Sequence, residues 1–408
     1  MNLILTLISV LIKLCFIYFI VFALSGLTKP FEKLPEAVSL RRFAVLLPVR
    51  NEEKVIAKLI ESLNEADYPK DKLEIWVVLN NSSDRSGEIA ASLGARVMNV
   101  DVPVHSKGDA LRYALDKLSA REDIDAYAVF DTDNVVDPGF FREMNKRLEA
   151  GKNIIQGRRI GKNAAENVLT GCYEIFYTMQ NVYFNHARSS MGRSGSLNGT
   201  AWVVRKSWID ENGFDMKTMT EDLELTAIAA LKGEHIGYAH EAVSYDEYPS
   251  RIRVSLRQLL RWSVGQVQCM KHYSAKLTKK FLKTGSLSSL NIDLVFLAPV
   301  LIVTFAVISL IFALVPAEPY RFPFVPPDEV LALAAATAFY ALCYAARLKC
   351  GRDVKIPILS NAAFPFFLIM WLPLMVRSLF MKDIEWRPVV HDHAVSIDDI
   401  ENKRKEAK

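Results

Sequence analysis

Two glycine signatures for holding phosphate are missing from this chain of 408 residues: no G-x-G-x-x-G follows its first apolar run, and G-x-x-x-x-G-K-[ST] occurs nowhere. A Rossmann dinucleotide site and a P-loop need those glycines for close backbone approach, so both are excluded. The five cysteines (Cys15, Cys172, Cys269, Cys343, Cys350) are odd in number and far apart, without a C-x-x-C. That argues against a disulfide framework and a cysteine zinc site. The seven histidines do not rescue a metal site, because the nearest pair, His391 and His393, stands alone in a polar tail. A formal net charge of +4 is too mild to advertise nucleic acid as a partner. A basic leader is lacking before the apolar run 3–26, which is also too long for a signal-peptide core, and an uncleaved anchor is expected there.

What the chain has in quantity is apolar sequence. Hydrophobic residues make up 51% of it, high for a wholly soluble protein of this length. The run 3–26 is long enough to cross a hydrocarbon core, and Lys13 within it implies a face packed against another helix. Three further runs follow at 292–315, 330–346 and 356–381, with none between 32 and 270. The expected organisation is an N-terminal transmembrane anchor (1–28), a cytoplasmic catalytic domain (40–270), a basic interfacial helix (271–291), a C-terminal membrane region of two to three segments (292–381) and a polar tail (382–408). Lys276, Lys279, Lys280 and Lys283 among Leu277, Phe281, Leu282 and Leu287 suit a helix in the headgroup layer, with a solvated basic linker as the alternative. The Lys/Arg-rich loop 347–355 reads as cytoplasmic and the Pro-rich stretch 316–327 as outside. Pro365 and Pro373 predict that the last run is broken or lies in the membrane plane, leaving the basic tail inside.

The middle of the chain alternates strands and helices. Apolar runs ending at Pro48-Val49-Arg50-Asn51-Glu52, at Asn80-Asn81-Ser82-Ser83-Asp84 and at Asp131-Thr132-Asp133 each read as a buried strand with a polar exit. Helices between them predict an α/β fold with a mostly parallel sheet, flanked by helices and inserted between transmembrane segments. Ligands of such sheets collect beyond the carboxyl ends of the strands, which is where the two acids of D-x-D stand. With no glycine cradle for phosphate, a divalent cation bridging Asp131 and Asp133 to a diphosphate is the economical arrangement.

PVRNEE (48–53), NNSSD (80–84), HSKGDAL (105–111), DTD (131–133), SLNGTAWVVRK (196–206), MTEDLEL (219–225) and RQLLRWSVGQ (257–266) occur in this order. Together they resemble family 2 glycosyltransferases of the GT-A type, especially the membrane-embedded branch with cellulose, chitin, hyaluronan and poly-N-acetylglucosamine synthases. IEWRPVVH (384–391) is similar to a stretch in smaller bacterial members. The resemblance implies that Asp131 and Asp133 meet the sugar nucleotide and a Mg²⁺ or Mn²⁺ ion, with Pro48, Arg50, Glu52, Asn80, Lys107 and Arg261 around the nucleotide sugar. It implies that Asp222 of Thr220-Glu221-Asp222 is the general base, and that Gln258, Trp262 and Gly199 face the acceptor. Asn80 stands where many relatives carry Asp toward uracil, and its carbonyl can still accept the uracil N3–H.

The resemblance therefore implies an inverting, metal-dependent enzyme of the cell membrane, multi-pass, with its catalytic domain in the cytoplasm. It would move sugar from a UDP-sugar to a growing polysaccharide, or in a single transfer to a lipid. An inactive export scaffold is the third reading, and a homo-oligomer or a small membrane subunit is left open beside the membrane lipids. From spacing alone Asp222 is equally a first-turn helix acid; Trp262 is expected to stack on a sugar ring, with core packing as the alternative, and the aromatic stretch 164–184 is either an acceptor platform or a core helix. Asp84, Asp137 and Glu52 stand near enough in sequence to support the site indirectly.

Overall fold

The computed structural model describes the backbone of residues 17–18, 20–314, 328–350, 354–384 and 394–405. Lys13, Cys15, the stretch 316–327, most of IEWRPVVH and the pair His391/His393 lie outside the described residues.

Eight strands form one sheet, β1 (Phe43–Val49), β2 (Leu73–Leu79), β3 (Arg96–Asn99), β4 (Ala126–Val129), β5 (Val135–Val136), β6 (Ile154–Gly161), β7 (Trp202–Arg205) and β8 (Gly237–Asp246), in the order β3-β2-β1-β4-β7-β6-β8-β5. The first half is parallel, as the alternation predicts. Beyond β4 the sheet is mixed: β7 runs antiparallel to both β4 and β6, β5 antiparallel to β8, and β6 and β8 are parallel. Continuous apolar runs make these central strands because both faces are covered. Phe43, Val45 and Leu47 meet helices α1 (Ile56–Asn64) and α4 (Phe140–Glu149) on one face, while Ala44 and Leu46 meet α3 (Lys107–Leu118) on the other. Between α1 and α3 in sequence lies the short α2 (Ser86–Ser92).

Further helices are α5 (Val168–Met179), α6 (Glu221–Lys232), α7 (Ile252–Thr284), α8 (Leu287–Leu314), α9 (Asp328–Cys350) and α10 (Ile358–Leu379). Two sequence expectations are corrected here. The basic stretch 271–291 is not a separate element, because α7 runs unbroken from the R-W motif through Lys283 and stops only where Gly285 takes a left-handed turn (φ 68°). Nor do Pro365 and Pro373 break the last run; both lie inside the continuous α10. Each proline removes an N–H bond, but α10 is held along its length by packing. Phe364 and Phe367 join Tyr173 and Leu259 in a buried cluster, and Trp371 Nε1 donates to Ser263 Oγ at 2.9 Å. Among the described residues α10 is the one helix long and apolar enough to cross a membrane. The described parts of the runs at 292–315 and 330–346 fall on α8 and α9, and the described end of the run 3–26 continues as helix to residue 28. Cys172, Cys269, Cys343 and Cys350 are buried free thiols.

Candidate active site

The acids that open the site sit just past β4, in the turn after the strand rather than on it. The backbone N–H of Asp131 donates to Thr200 Oγ1 at 2.9 Å, and the Thr200 hydroxyl in turn donates to Asn134, so the D-x-D turn is tied to the 196–200 loop. Asp133 is buried and accepts from the Glu247 backbone N–H at 3.2 Å. Backbone is strained at the exits of β1 and β2 and at the entry of β7: Asn51, Asn81 and Ala201 take positive φ of 59°, 51° and 55°. Strained backbone of this kind clusters at functional sites.

Lys107 is positioned by helix capping. Ser106 accepts from the Asp109 backbone N–H while the Asp109 carboxylate accepts from that of Ser106, a reciprocal box that starts α3 one residue later. From the first turn the Lys107 ammonium reaches three groups: Asp131 Oδ1 at 2.6 Å, Glu221 Oε1 at 3.2 Å and the Gly199 carbonyl at 2.6 Å. It thus links the D-x-D turn, the T-E-D helix and the 196–200 loop. Burial alone would push the Asp131 carboxyl up, but the Lys107 ammonium, with Arg159 and Arg261 beyond it, holds it below the usual carboxylate range. Lys107 is correspondingly raised: burial opposes its charge, and Asp131, Glu221 and Asp222 outweigh that penalty.

Asp222 occupies the first turn of α6, and its carboxyl behaves oppositely. Burial, then the adjacent negative charge of Glu221, push it up to about 7, against the Leu223 backbone N–H, Lys107 and Arg159, which favour its ionised form. Gly199, at φ 84°, faces it, since a Cβ there would lie 3.9 Å from Asp222 Oδ2 and 3.5 Å from the Arg159 guanidinium. A carboxyl poised near neutrality can take up a proton during turnover.

All fourteen residues singled out from the sequence, Pro48, Arg50, Glu52, Asn80, Lys107, Asp131, Asp133, Gly199, Thr220, Glu221, Asp222, Gln258, Arg261 and Trp262, line a single cavity of about 420 Å³. Asp84 and Asp137 do not; their carboxylates accept from the backbones of Ser86 and Glu53 and of Gly139, shaping turns. The aromatic stretch 164–184 is both core and wall, since Tyr173 is buried while Phe176, Tyr177 and Gln180 reach the cavity.

Sequence reasoning missed Arg159, Asp246 and Glu247, which also line the cavity. Arg159 is buried, paired with Asp246, with its guanidinium 4.2 Å above the Tyr177 ring. The signal was legible, because Asp246-Glu247 closes the apolar strand β8 as Asp131 and Asp133 follow β4. Also missed were Val295 of α8 and Trp371 and Met375 of α10, which line the cavity too. Trp262 and Trp371 rings stand 6.2 Å apart. Nothing local in the sequence shows that a residue more than a hundred positions later lines the cavity beside Trp262.

Among the described residues no three His, Cys, Asp or Glu side chains converge as a metal-binding set. The pair Asp131/Asp133 nevertheless suits a divalent ion of the Mg²⁺ kind, which takes one or two carboxylates and completes its shell from substrate phosphates and water.

Residues 128–344 match the sequence profile of "Glycosyl transferase family group 2". A probable glycosyltransferase YdaM of Bacillus subtilis is 28% identical over 59% of this chain, and the chain spans 59% of that relative's length. A beta-monoglucosyldiacylglycerol synthase of Trichormus variabilis is 26% identical over 86% of this chain and 77% of its own. A probable glucomannan 4-beta-mannosyltransferase of Oryza sativa is 28% identical over 54% of this chain and 40% of its own. The solved structure of a mannosyltransferase from Pyrobaculum calidifontis, in complex with GDP-Man and Mn²⁺, superposes with a TM-score of 0.59 over 85% of this chain and 98% of that one, at 18% identity. The two share a fold.

Proposed function

The chain belongs to glycosyl transferase family group 2 and is a glycosyltransferase; on that premise we propose that it moves a sugar from a UDP-sugar to the hydroxyl of a lipid at the membrane surface, with inversion. The observation that carries the lipid reading is the mixed lining of the cavity. It joins ionic groups, Asp131, Asp133, Lys107 and Arg159, to apolar ones, Trp262, Val295, Trp371 and Met375. Trp371 and Met375 belong to the helix apolar enough to enter a bilayer. A lipid headgroup could reach the acids from that side while its chains stay with α10. The glycolipid synthase similar to this chain matches more of its length than the glucomannan relative does. That favours the lipid over a growing polysaccharide, which is the second reading.

In this scheme Asp131 and Asp133 hold a Mg²⁺ or Mn²⁺ ion, which would neutralise charge on the departing diphosphate. Arg261, on α7, adds a guanidinium whose planar fork of donors suits a diphosphate. Asn80 lines the nucleotide end, where its amide carbonyl can accept from the uracil N3–H. Asp222 takes the proton of the acceptor hydroxyl, whose oxygen forms the new bond to the anomeric carbon as the bond from that carbon to the diphosphate oxygen breaks on the opposite face. A single displacement leaves UDP and an inverted linkage. Trp262 offers a flat face for the acceptor, and Gln258 Oε1, buried and without a hydrogen-bond partner among the described residues, would accept from one of its hydroxyls.

The test is a donor panel (UDP-glucose, UDP-N-acetylglucosamine, GDP-mannose) offered with diacylglycerol or with an oligosaccharide primer, and mass analysis of the product. One sugar on the lipid is the expected result. A polymer on the primer would replace the lipid reading with polysaccharide synthesis, and failure of every donor would overturn both.

A further inference from the structure

Helix α7 carries Arg253, Arg257, Arg261, Lys271, Lys276, Lys279, Lys280 and Lys283, and not one acidic residue in its 33 positions. Arg261 faces the active-site cavity. Arg253, Arg257, Lys271, Lys276, Lys279 and Lys283 are exposed. At about 100° per residue these six fall within about 140° of arc, so they form one stripe down the helix. Among the described residues none of the six makes an ion pair with an acid; Lys276 lies over the Tyr273 ring, and Arg257 bonds a backbone carbonyl of its own helix. The opposite face is anchored by buried Tyr273 and Leu277, which pack on Ala227, Ala230, Ile292 and Phe296.

Two contacts say what covers the stripe. Gln268 Nε2 donates to the Lys382 carbonyl at 2.8 Å and to Asp383 Oδ1 at 3.0 Å, so the carboxyl end of apolar α10 meets α7 three residues before Lys271. Large apolar side chains stand in the open on both elements: Phe380, just past α10, is 85% exposed, and Leu282, farther along α7 among the lysines, 75%. A basic stripe with an interleaved leucine, on a helix met partway along by the end of an apolar one, has the kinds of group met at the edge of a bilayer, where lysines seek phosphate and apolar side chains the acyl boundary.

We propose that the exposed face of α7 docks on an anionic bilayer surface, its lysines against lipid phosphates. Because α7 is one helix from Gln258 to Lys283, docking at its far end fixes the helix that carries Gln258, Arg261 and Trp262. The proposal concerns how the enzyme sits on the membrane and holds for either acceptor.

The experiment compares the full chain in neutral phosphatidylcholine nanodiscs with the same chain in nanodiscs enriched in phosphatidylglycerol. Amine-reactive labelling is read by mass spectrometry at Lys276, Lys279 and Lys283, with exposed Lys117 of α3 as internal reference. Labelling of the three is expected to fall severalfold in the anionic discs, at about fivefold in local partitioning per lysine, and to recover in high salt while Lys117 stays constant. Equal labelling in both discs, or a fall shared by Lys117, would overturn the proposal. A K276E/K279E/K283E variant is the second check. It should turn over like the parent in detergent and lose the gain in rate that the parent shows on going from neutral to anionic discs. A variant that keeps the gain refutes the docking. Absence of lipid glycosylation in every medium would sink the lipid acceptor and leave the labelling result standing.

Discussion

At the scale of single residues, the site separates two carboxyls by their neighbours. Asp131 lies against an ammonium and stays ionised, whereas Asp222 is buried beside another carboxylate and is pushed up to about 7. If Asp222 is the base, only its deprotonated form works. The free-enzyme rate constant kcat/KM should therefore climb with pH to a plateau above neutrality, with a midpoint near 7 and about tenfold loss per unit below it. Two variants should move that midpoint in opposite directions. Glu221→Gln removes a like charge that raises Asp222, so the rise should shift to lower pH, whereas Lys107→Gln removes a cation that favours the ionised form, so it should shift upward. Identical midpoints in all three proteins would remove Asp222 from the role of base. Asp222→Asn should lose about 10²–10⁴-fold in turnover yet bind the nucleotide sugar unchanged by calorimetry.

At the scale of elements, the contact that joins the two halves of the machinery is a glycine. Gly265 lies inside α7, one turn beyond Arg261, and a Cβ there would run into the Thr220 side chain, 2.6 Å from its Oγ1. Glycine within a helix costs about 1 kcal/mol relative to alanine, so helix formation alone does not account for it; close approach of α7 to the T-E-D turn does. Gly265→Ala should leave the melting temperature within a few degrees, because the gain in helix propensity offsets the overpacking. It should lower kcat/KM by about tenfold or more, since Asp222 sits two residues from the displaced Thr220. Combining it with Thr220→Ala should give a loss smaller than the sum of the two, as touching sites do. Strict additivity would mean that α7 and the T-E-D turn act independently.

At the scale of the whole molecule, a cavity lined by strand-exit residues of the sheet is also lined by helices from the last third of the chain. Trp371→Ala should raise the apparent KM for the lipid acceptor severalfold and leave the dissociation constant of the nucleotide sugar unaltered, because Trp371 lines the cavity beside Trp262, the ring proposed to meet the acceptor. A loss of donor affinity of the same size would place α10 at the donor end instead. Removing divalent cations with a chelator should abolish transfer, and adding Mn²⁺ or Mg²⁺ back should restore it, as the Asp131/Asp133 pair alone cannot neutralise a leaving diphosphate.

The α/β alternation and the strand-end acids were legible in the sequence, because apolar runs with polar exits state locally where a strand leaves the core; Lys107, Gly199, the T-E-D residues, Gln258, Arg261 and Trp262 came from the resemblance of their motifs to a family, and all line the cavity. The same local rules misjudged α10: proline reads as a break, yet packing of Phe364, Phe367 and Trp371 keeps the helix whole. Propensity likewise could not join the basic stretch to α7, nor could any local signal put Val295, Trp371 and Met375 with Asp131 in one cavity. By itself the sequence determined which chemical groups stand at the strand exits, since side-chain type and period are properties of neighbouring residues. Only the tertiary structure decided which distant helices close the cavity, and that Lys107 bridges three separate segments, because contacts between remote parts of a chain are set by how whole faces pack rather than by any one stretch.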